Sequence, residues 1–174
     1  KQYDTFFLLT NDTELSRAPT LAPMNKLLKE HQRVGILSPC SLRWGERFLL
    51  QETTTKYFWF IHNNALLLRR NFIETIMEIE NPDYLNFLFD GSNFRGYFSE
   101  SELIAKAYAN NWAAAITTEV FAEENESYLL NKADLIKTES YDENIKLYID
   151  EGQNWLRRKY GFNSRWSMQQ YVKS

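Results

Sequence analysis

Apolar and polar residues follow one another in blocks that predict alternating strands and helices. Two short runs, Phe6–Leu9 and Val34–Ser38, are almost uninterrupted, which is typical of strands buried on both faces of a parallel sheet. Pro39 is expected to end the second strand. Between the runs, apolar residues recur at helical spacing and predict a helix: Leu21, Met24, Leu27 and Leu28.

The rest of the chain continues this alternation. Segments rich in β-branched and aromatic residues predict strands, and segments with a 3.6-residue apolar period predict helices. In order, these are a strand over Thr53–Ile61, a helix opened by Arg69 and Arg70, a helix after Ser99, a strand over Trp112–Thr117, and helices over Asp142–Tyr160 and Ser164–Val172. The longer helix should turn Ile145, Ile149 and Leu156 inward and end at Gly161. This order predicts an α/β fold.

The composition indicates a folded protein and argues against a nucleic-acid binder and a membrane-spanning protein. The chain has 174 residues, of which 44% are hydrophobic, enough for a folded core. A formal net charge of −3 argues against a general nucleic-acid binder, and no apolar run reaches the roughly 20 residues that span a bilayer. Cys40 is the only cysteine, which favours a reducing, cytoplasmic compartment and a buried apolar role. Because Lys1 opens almost directly into a strand, we expect an upstream segment.

The first chemical signal is the polar turn that ends the first strand. Asn11, Asp12 and Thr13 directly follow Leu9 and Thr10. Ligands of open α/β sheets bind beyond the carboxyl ends of the strands, and a carboxylate there can hold a hard cation that in turn holds a diphosphate. The same residues are also ordinary turn and helix-capping residues, so both interpretations stay open at this point.

Four segments in a fixed order resemble the second half of the catalytic domain of family 2 glycosyltransferases. They are Leu9–Thr13 (LTNDT), Val34–Pro39 (VGILSP), Ala65–Arg70 (ALLLRR) and Ser99–Trp112 (SESELIAKAYANNW). The resemblance spans roughly residues 3 to 125. It implies a GT-A-like, Rossmann-like mixed sheet flanked by helices, without the amino-terminal strands that bind the nucleotide in this family.

The resemblance also implies an activity, which is the inverting transfer of a sugar from a nucleotide diphosphate sugar to an acceptor hydroxyl in glycan biosynthesis. Asp12 matches the family's ligand for Mn²⁺ or Mg²⁺, and Glu100 matches its general base. At the start of a helix, the helix dipole should hold Glu100 as the carboxylate. Thr10 stands where the family often has an acid or Asn. No His follows the strand after Trp112, so either Glu123 or Glu124 supplies a further metal ligand or the site is built differently.

Other polar residues near these positions are candidates for substrate binding. They are Asn11, His62, Asn63, Asn64, Asn93, Arg95 and Glu102. Amides, imidazole and carboxylates supply the donors and acceptors that sugar hydroxyls need. For Ser99, Glu100 and Glu102 the alternative is helix capping, since Ser99 and Glu102 have the spacing of a capping box. Arg69 and Arg70 are interpreted as the solvated start of a helix, and the alternative is that one of them contacts phosphate.

We therefore predict a partial GT-A core over residues 1–140 and a carboxyl-terminal helical extension, packed on the core, over residues 141–174. The predicted partners are a nucleotide diphosphate sugar and a glycan or other hydroxyl acceptor, with no nucleic acid and no transmembrane segment. The first alternative is a non-catalytic module, derived from half of a transferase, that binds glycan or protein. A second alternative is a phosphotransfer or nucleotidyl-transfer enzyme that uses a similar acidic turn.

Overall fold

The structure is a computed structural model that describes residues 3–16, 18–42, 55–59, 65–77, 88–93, 95–125 and 140–174. The described strands are β1 (Thr5–Leu9), β2 (Thr13–Leu15), β3 (Val34–Cys40), β4 (Thr55–Tyr57), β5 (Ala65–Arg69) and β6 (Ala113–Glu124). The described helices are α1 (Leu21–Glu30), α2 (Arg70–Ile76), α3 (Ser99–Ala109), α4 (Tyr141–Tyr160) and α5 (Arg165–Lys173). Among these helices, none has both the length and the apolar composition of a membrane span.

The described strands form one mixed sheet in the order β1-β5-β3-β6-β2, and β4 also pairs with β6. The β3–β6 pair is parallel, and the other described pairs are antiparallel. Strand β6 is long enough to pair with β4 along its first half and with β2 along its second half. The predicted α/β class, with a mixed sheet and flanking helices, is confirmed.

The core lies on both faces of β3, all seven residues of which are buried. Successive side chains of a strand point to opposite faces. Adjacent apolar residues of one strand therefore belong to two different apolar clusters. One cluster includes Leu37 and Leu67 of the sheet with Met24 and Leu28 of α1. The other includes Ile36 and Leu68 with Phe72 of α2 and Ile104 of α3. Each such side chain contributes about 1.5–3 kcal/mol when buried.

Strand β1 lies at the edge of the described sheet, which corrects the prediction of a parallel strand buried on both faces. Its one partner is β5, to which it is antiparallel. Phe6 and Leu8 are partly exposed, and Leu9 is 49% exposed. A short apolar run does not reveal how many neighbours a strand has, because the ladder partners come from distant segments.

Pro39 does not end β3, as the sequence predicted, but lies within it. The pairing with β6 shifts register between Pro39 and Cys40, and a proline is tolerated at such an irregularity because a ladder donor is not required there. Cys40 is fully buried, which confirms the expected apolar role.

The carboxyl-terminal helices match their predicted bounds closely, and Gly161 ends α4 with a positive φ of 78°. Trp155 and Leu156 of α4 are buried against Phe98 and Met168. Ile145 and Ile149, however, are largely exposed, so the prediction that they face inward is wrong. The apolar period identifies which face of a helix is apolar, but not how much of the helix packs against the core. Here only the later part of α4 does so.

Arg69 is a structural residue rather than the solvated start of a helix. It is the last residue of β5, and its guanidinium donates hydrogen bonds to the carbonyl oxygens of Leu28, His31 and Val34. These oxygens lie at and just beyond the end of α1, where a cation is also favoured by the helix dipole. Burial lowers the pKa of Arg69.

Gly35 is the position of closest contact between β3 and α2. A Cβ built there would lie 2.6 Å from Cγ of Phe72, which is fully buried. We expect Gly35→Ala to destabilise the protein by about 1–3 kcal/mol, because the overpacked ring has no free space to enter. Urea unfolding measures the change; Gly161→Asn, where no atom lies within 4 Å of the added Cβ, is the control. Equal stability of Gly35→Ala and the wild type would contradict the expectation.

Candidate functional site

The acidic turn that follows β1, residues 10–13, is hydrogen-bonded to the chain just after β6. Within the turn, the Thr13 amide donates to the Thr10 carbonyl oxygen at 3.2 Å. The Asn125 amide, just after β6, donates to the Asp12 carbonyl oxygen at 2.8 Å. Asp12 is therefore held by its backbone and half-buried, while Asn11 is exposed.

Glu123, one of the neighbouring acids of β6, is hydrogen-bonded through both of its carboxylate oxygens. The carboxylate of Glu123 accepts hydrogen bonds from the Ser41 hydroxyl at 3.0 Å and from the Leu42 amide at 2.6 Å. Within the described part of the chain, no three His, Cys, Asp or Glu side chains lie together as a metal-binding group. Asp12 fits a Mg²⁺ or Mn²⁺ ion only where phosphate and water complete the coordination, an arrangement that Mg²⁺ commonly adopts.

Glu100 lies in the first turn of α3 with a largely buried side chain, 13% exposed. Three neighbouring groups converge on its Oε1 atom. The Ser101 hydroxyl donates at 3.3 Å, the Tyr148 hydroxyl donates at 3.4 Å, and Nη1 of Arg165 lies at 3.8 Å. Arg165 also donates to the Tyr148 oxygen at 2.6 Å, so α4 and α5 together fix this carboxylate.

The environment of Glu100 raises the pKa of its carboxyl group. Burial is the largest cause, and it outweighs the opposing effects of the Glu100 backbone amide and the charge of Arg165. The helix position alone would favour the carboxylate, so burial reverses the expectation from the sequence. A carboxyl group with a raised pKa in a fixed position is typical of a general acid or base.

Asp12 and the amino terminus of α3 lie towards the same end of the sheet. Strands β1 and β3 are both antiparallel to β5, and β3 is parallel to β6. Helix α3 reaches β6 through three residues, and the Tyr108 hydroxyl near its end lies 3.4 Å from the Ala114 oxygen. Helix α3 therefore runs back along β6, with its amino terminus directed towards the end of the sheet at which β1 and β3 also end, the end that binds ligands in α/β sheets. Asp12 lies beyond that end, beside Asn125 at the far end of β6.

Glu102 belongs to a buried charge network. The side chain is 2% exposed, and its Oε1 atom lies 2.8 Å from Nζ of Lys159 and 3.6 Å from Nζ of Lys106. The Tyr160 hydroxyl donates to the same oxygen. The predicted capping box is wrong, because Glu102 turns inward and the N-cap residue of α3 is Phe98 with a positive φ of 67°.

Lys159 extends this network to Asp90, on the segment before α3. Nζ of Lys159 lies 2.8 Å from Oδ2 of Asp90, and the Trp155 indole donates to the same oxygen at 3.1 Å. Burial alone would raise the pKa of Asp90, but hydrogen bonds from Lys159, Ser92 and Trp155 hold it well below its usual value. Burial likewise opposes the charge of Lys159, but the two carboxylates raise its pKa.

Asn93 and Arg95 make contacts with residues other than Glu100, and the remaining predicted site residues lie outside the described residues. The Asn93 amide donates to the Tyr97 carbonyl oxygen at 2.7 Å, and Arg95 forms an ion pair with Glu151 at 3.3 Å. His62, Asn63 and Asn64 lie outside the described residues. Sequence analysis missed Tyr148 and Arg165, because no local pattern joins residues so far from Glu100 in the chain.

Comparisons with known proteins do not identify a relative. No protein-family model, no curated protein and no solved structure matches this chain. Its function therefore has to be argued from its own side chains and from the order of its motifs.

Proposed function

We propose that the chain is part of an inverting, metal-dependent glycosyltransferase of the family 2 type, with a GT-A-like sheet. The observation that carries the proposal is Glu100, a buried carboxylate of raised pKa that is fixed from three sides. Glu100 and Asp12 both lie towards the end of the sheet at which β1 and β3 end. The order of the four motifs and the parallel β3–β6 pair support the same assignment.

In this proposal Glu100 accepts the proton of the acceptor hydroxyl as the acceptor oxygen attacks the anomeric carbon. The bond from that carbon to the diphosphate breaks on the opposite face, so the configuration inverts. Tyr148 and Arg165 orient the carboxylate through Oε1. A general base of this kind contributes about 10²–10⁴-fold to a rate.

Asp12 is the residue that would hold the divalent ion. When bound, Mg²⁺ or Mn²⁺ neutralises the charge that develops on the departing diphosphate. The turn restrains Asp12 through the backbone bond from Asn125, which leaves the carboxylate to contact the ion. An ion shared with the substrate does not require further protein ligands.

We expect Asp12→Ala to remove the metal dependence of donor binding. The measurement is calorimetric titration of the whole gene product with UDP- and GDP-sugars, with and without Mn²⁺. Loss of a metal contact should weaken Mn²⁺-dependent binding about tenfold or more, with the fold unchanged because the side chain is only half-buried.

Glu14→Gln is the matched control, since Glu14 is an exposed acid two residues away and glutamine keeps an oxygen that can accept the hydrogen bond from Asn125. It should bind the donor as the wild type does. Unchanged Mn²⁺-dependent binding in Asp12→Ala would contradict the role of Asp12. Absence of any nucleotide-sugar binding by the wild type would instead favour the non-catalytic module.

A further inference from the structure

A cavity of about 250 Å³ lies between α3, α5 and the segment that begins with β4. Its described lining consists of Tyr57, Trp59, Ala105, Tyr108, Gln169 and Val172. Ala105 follows Glu100 by five residues, about 7.5 Å along the helix axis, so the cavity is separate from the carboxylate. Its volume lies just below the roughly 300–1,000 Å³ of pockets for drug-sized ligands, which suits a single ring.

The aromatic wall of the cavity is held in place. The Tyr108 hydroxyl donates to the Phe58 carbonyl oxygen at 2.9 Å. The rings of Tyr108 and Trp59 are 6.2 Å apart and inclined by 47°. The cavity therefore offers a ligand fixed aromatic faces, on which a ring with an apolar face can stack.

Gln169 has a side-chain oxygen that can still accept a hydrogen bond. The side chain is 4% exposed, and its amide nitrogen donates to the Trp59 carbonyl oxygen at 2.7 Å. Because a carbonyl oxygen only accepts, this bond fixes which end of the amide is Oε1. Oε1 is buried and has no hydrogen-bond partner, an unfavourable state that a ligand hydroxyl would relieve once the amide turns towards the cavity.

A second, more open cavity of about 620 Å³ adjoins the first and shares Trp59 and Gln169 with it. Trp166 also lines this second cavity and is half-exposed. The guanidinium of Arg165 lies over the Trp166 ring, 5.0 Å from its centre. Two tryptophans and a buried amide thus follow one another along one cleft. A buried amide between two aromatic rings fits a ligand of linked rings, each with an apolar face and hydroxyl groups, better than a single aromatic molecule.

We propose that the two cavities form one carbohydrate-binding cleft, in which one sugar ring stacks on Trp59 and donates a hydroxyl to Gln169 Oε1 while the next ring stacks on Trp166. The cleft involves neither the nucleotide donor nor the metal. The inference therefore stands apart from the proposed sugar transfer, and either can fail without the other.

The test is an NMR titration of ¹⁵N-labelled protein with trisaccharides of glucose, mannose and N-acetylglucosamine in the presence of EDTA, with phenol and indole as aromatic probes. We expect at least one trisaccharide to shift the indole signals of Trp59 and Trp166 and the amide signals of Gln169. Loss of one stacking or amide contact should weaken binding about tenfold, so Trp166→Ala and Gln169→Leu should each bind about tenfold more weakly.

Tyr171→Ala is the matched control, because Tyr171 lies on α5, is 70% exposed and does not line either cavity. It should bind like the wild type. Trp166→Ala carries the test if Gln169→Leu does not fold, since Trp166 is half-exposed. The proposal is overturned if no trisaccharide shifts these signals, if phenol or indole alone does so, or if Trp166→Ala weakens binding no more than Tyr171→Ala.

Discussion

Replacing Lys159 with methionine should destabilise the protein by about 3 kcal/mol, at the lower end of the 3–5 kcal/mol for breaking a buried ion pair. Its Nζ atom lies 2.8 Å from carboxylate oxygens of both Asp90 and Glu102, which are buried and would lose their nearest cation. Lys159 is itself 32% exposed, so water can enter and reduce the loss. Even so, the loss is a large fraction of a typical stability of about 5–15 kcal/mol.

Urea unfolding at pH 7 measures this loss, with Lys106→Met as the matched control. Lys106 approaches the same Glu102 oxygen only to 3.6 Å within one helix and has the same exposure, so its removal should cost about 1 kcal/mol or less. Glu102→Gln in the Lys159→Met background should recover part of the loss, because one uncompensated charge is then gone. Equal losses from the two lysine variants would show that the network does not depend on Lys159.

Elements with strong local signals could be predicted from the sequence. The apolar run of β3 and the helical period of α1 match the structure, and so does the glycine after α4. In these segments hydrophobic period and end signals agree with the tertiary packing. The position of a strand in the sheet is different, since it depends on which distant segments pair with it. The apolar run of β1 therefore predicted a strand correctly, but it did not predict that the strand lies at the edge of the described sheet.

Strand β6 shows the same limit at its other end. The sequence predicts a strand that stops at Thr117. In the structure the strand continues to Glu124, because β2 pairs antiparallel with its last residues. Cross-strand pairing can override the low strand preference of acidic residues. That pairing also fastens the Asp12 turn, so part of the candidate site depends on a contact that local sequence does not predict.

The candidate base illustrates which part of a site a motif can reveal. The segment that begins at Ser99 identifies Glu100 as a candidate. Its pKa, however, depends on burial under α4 and α5, and its orientation depends on Tyr148 and Arg165. These residues lie 48 and 65 positions further along the chain. Local chemistry alone predicted the opposite influence on Glu100, since it included the helix dipole but not desolvation.

We expect Glu100→Gln to lower sugar transfer by about 10²–10⁴-fold, because the amide cannot accept the proton of the acceptor. The fold should be retained, since glutamine keeps the size of the side chain and removes a charge that burial disfavours. In the wild type, transfer should rise with pH through the pKa of Glu100, which lies above its usual 4.5. Residual transfer in Glu100→Gln should lack this rise. Product formation from the nucleotide sugar, followed between pH 4 and 8, measures both effects.

Arg165→Met distinguishes an effect on the pKa of Glu100 from a general loss of folded protein. The charge of Arg165 lowers the pKa of Glu100 against the larger effect of burial, so its removal should move the rise in transfer to higher pH. Arg165→Lys should restore the position of the rise in part, because it restores the charge but not the shape of the guanidinium. A purely structural loss would lower transfer equally at every pH. Full activity of Glu100→Gln, or a pH profile that Arg165→Met leaves unmoved, would show that the acceptor is deprotonated elsewhere.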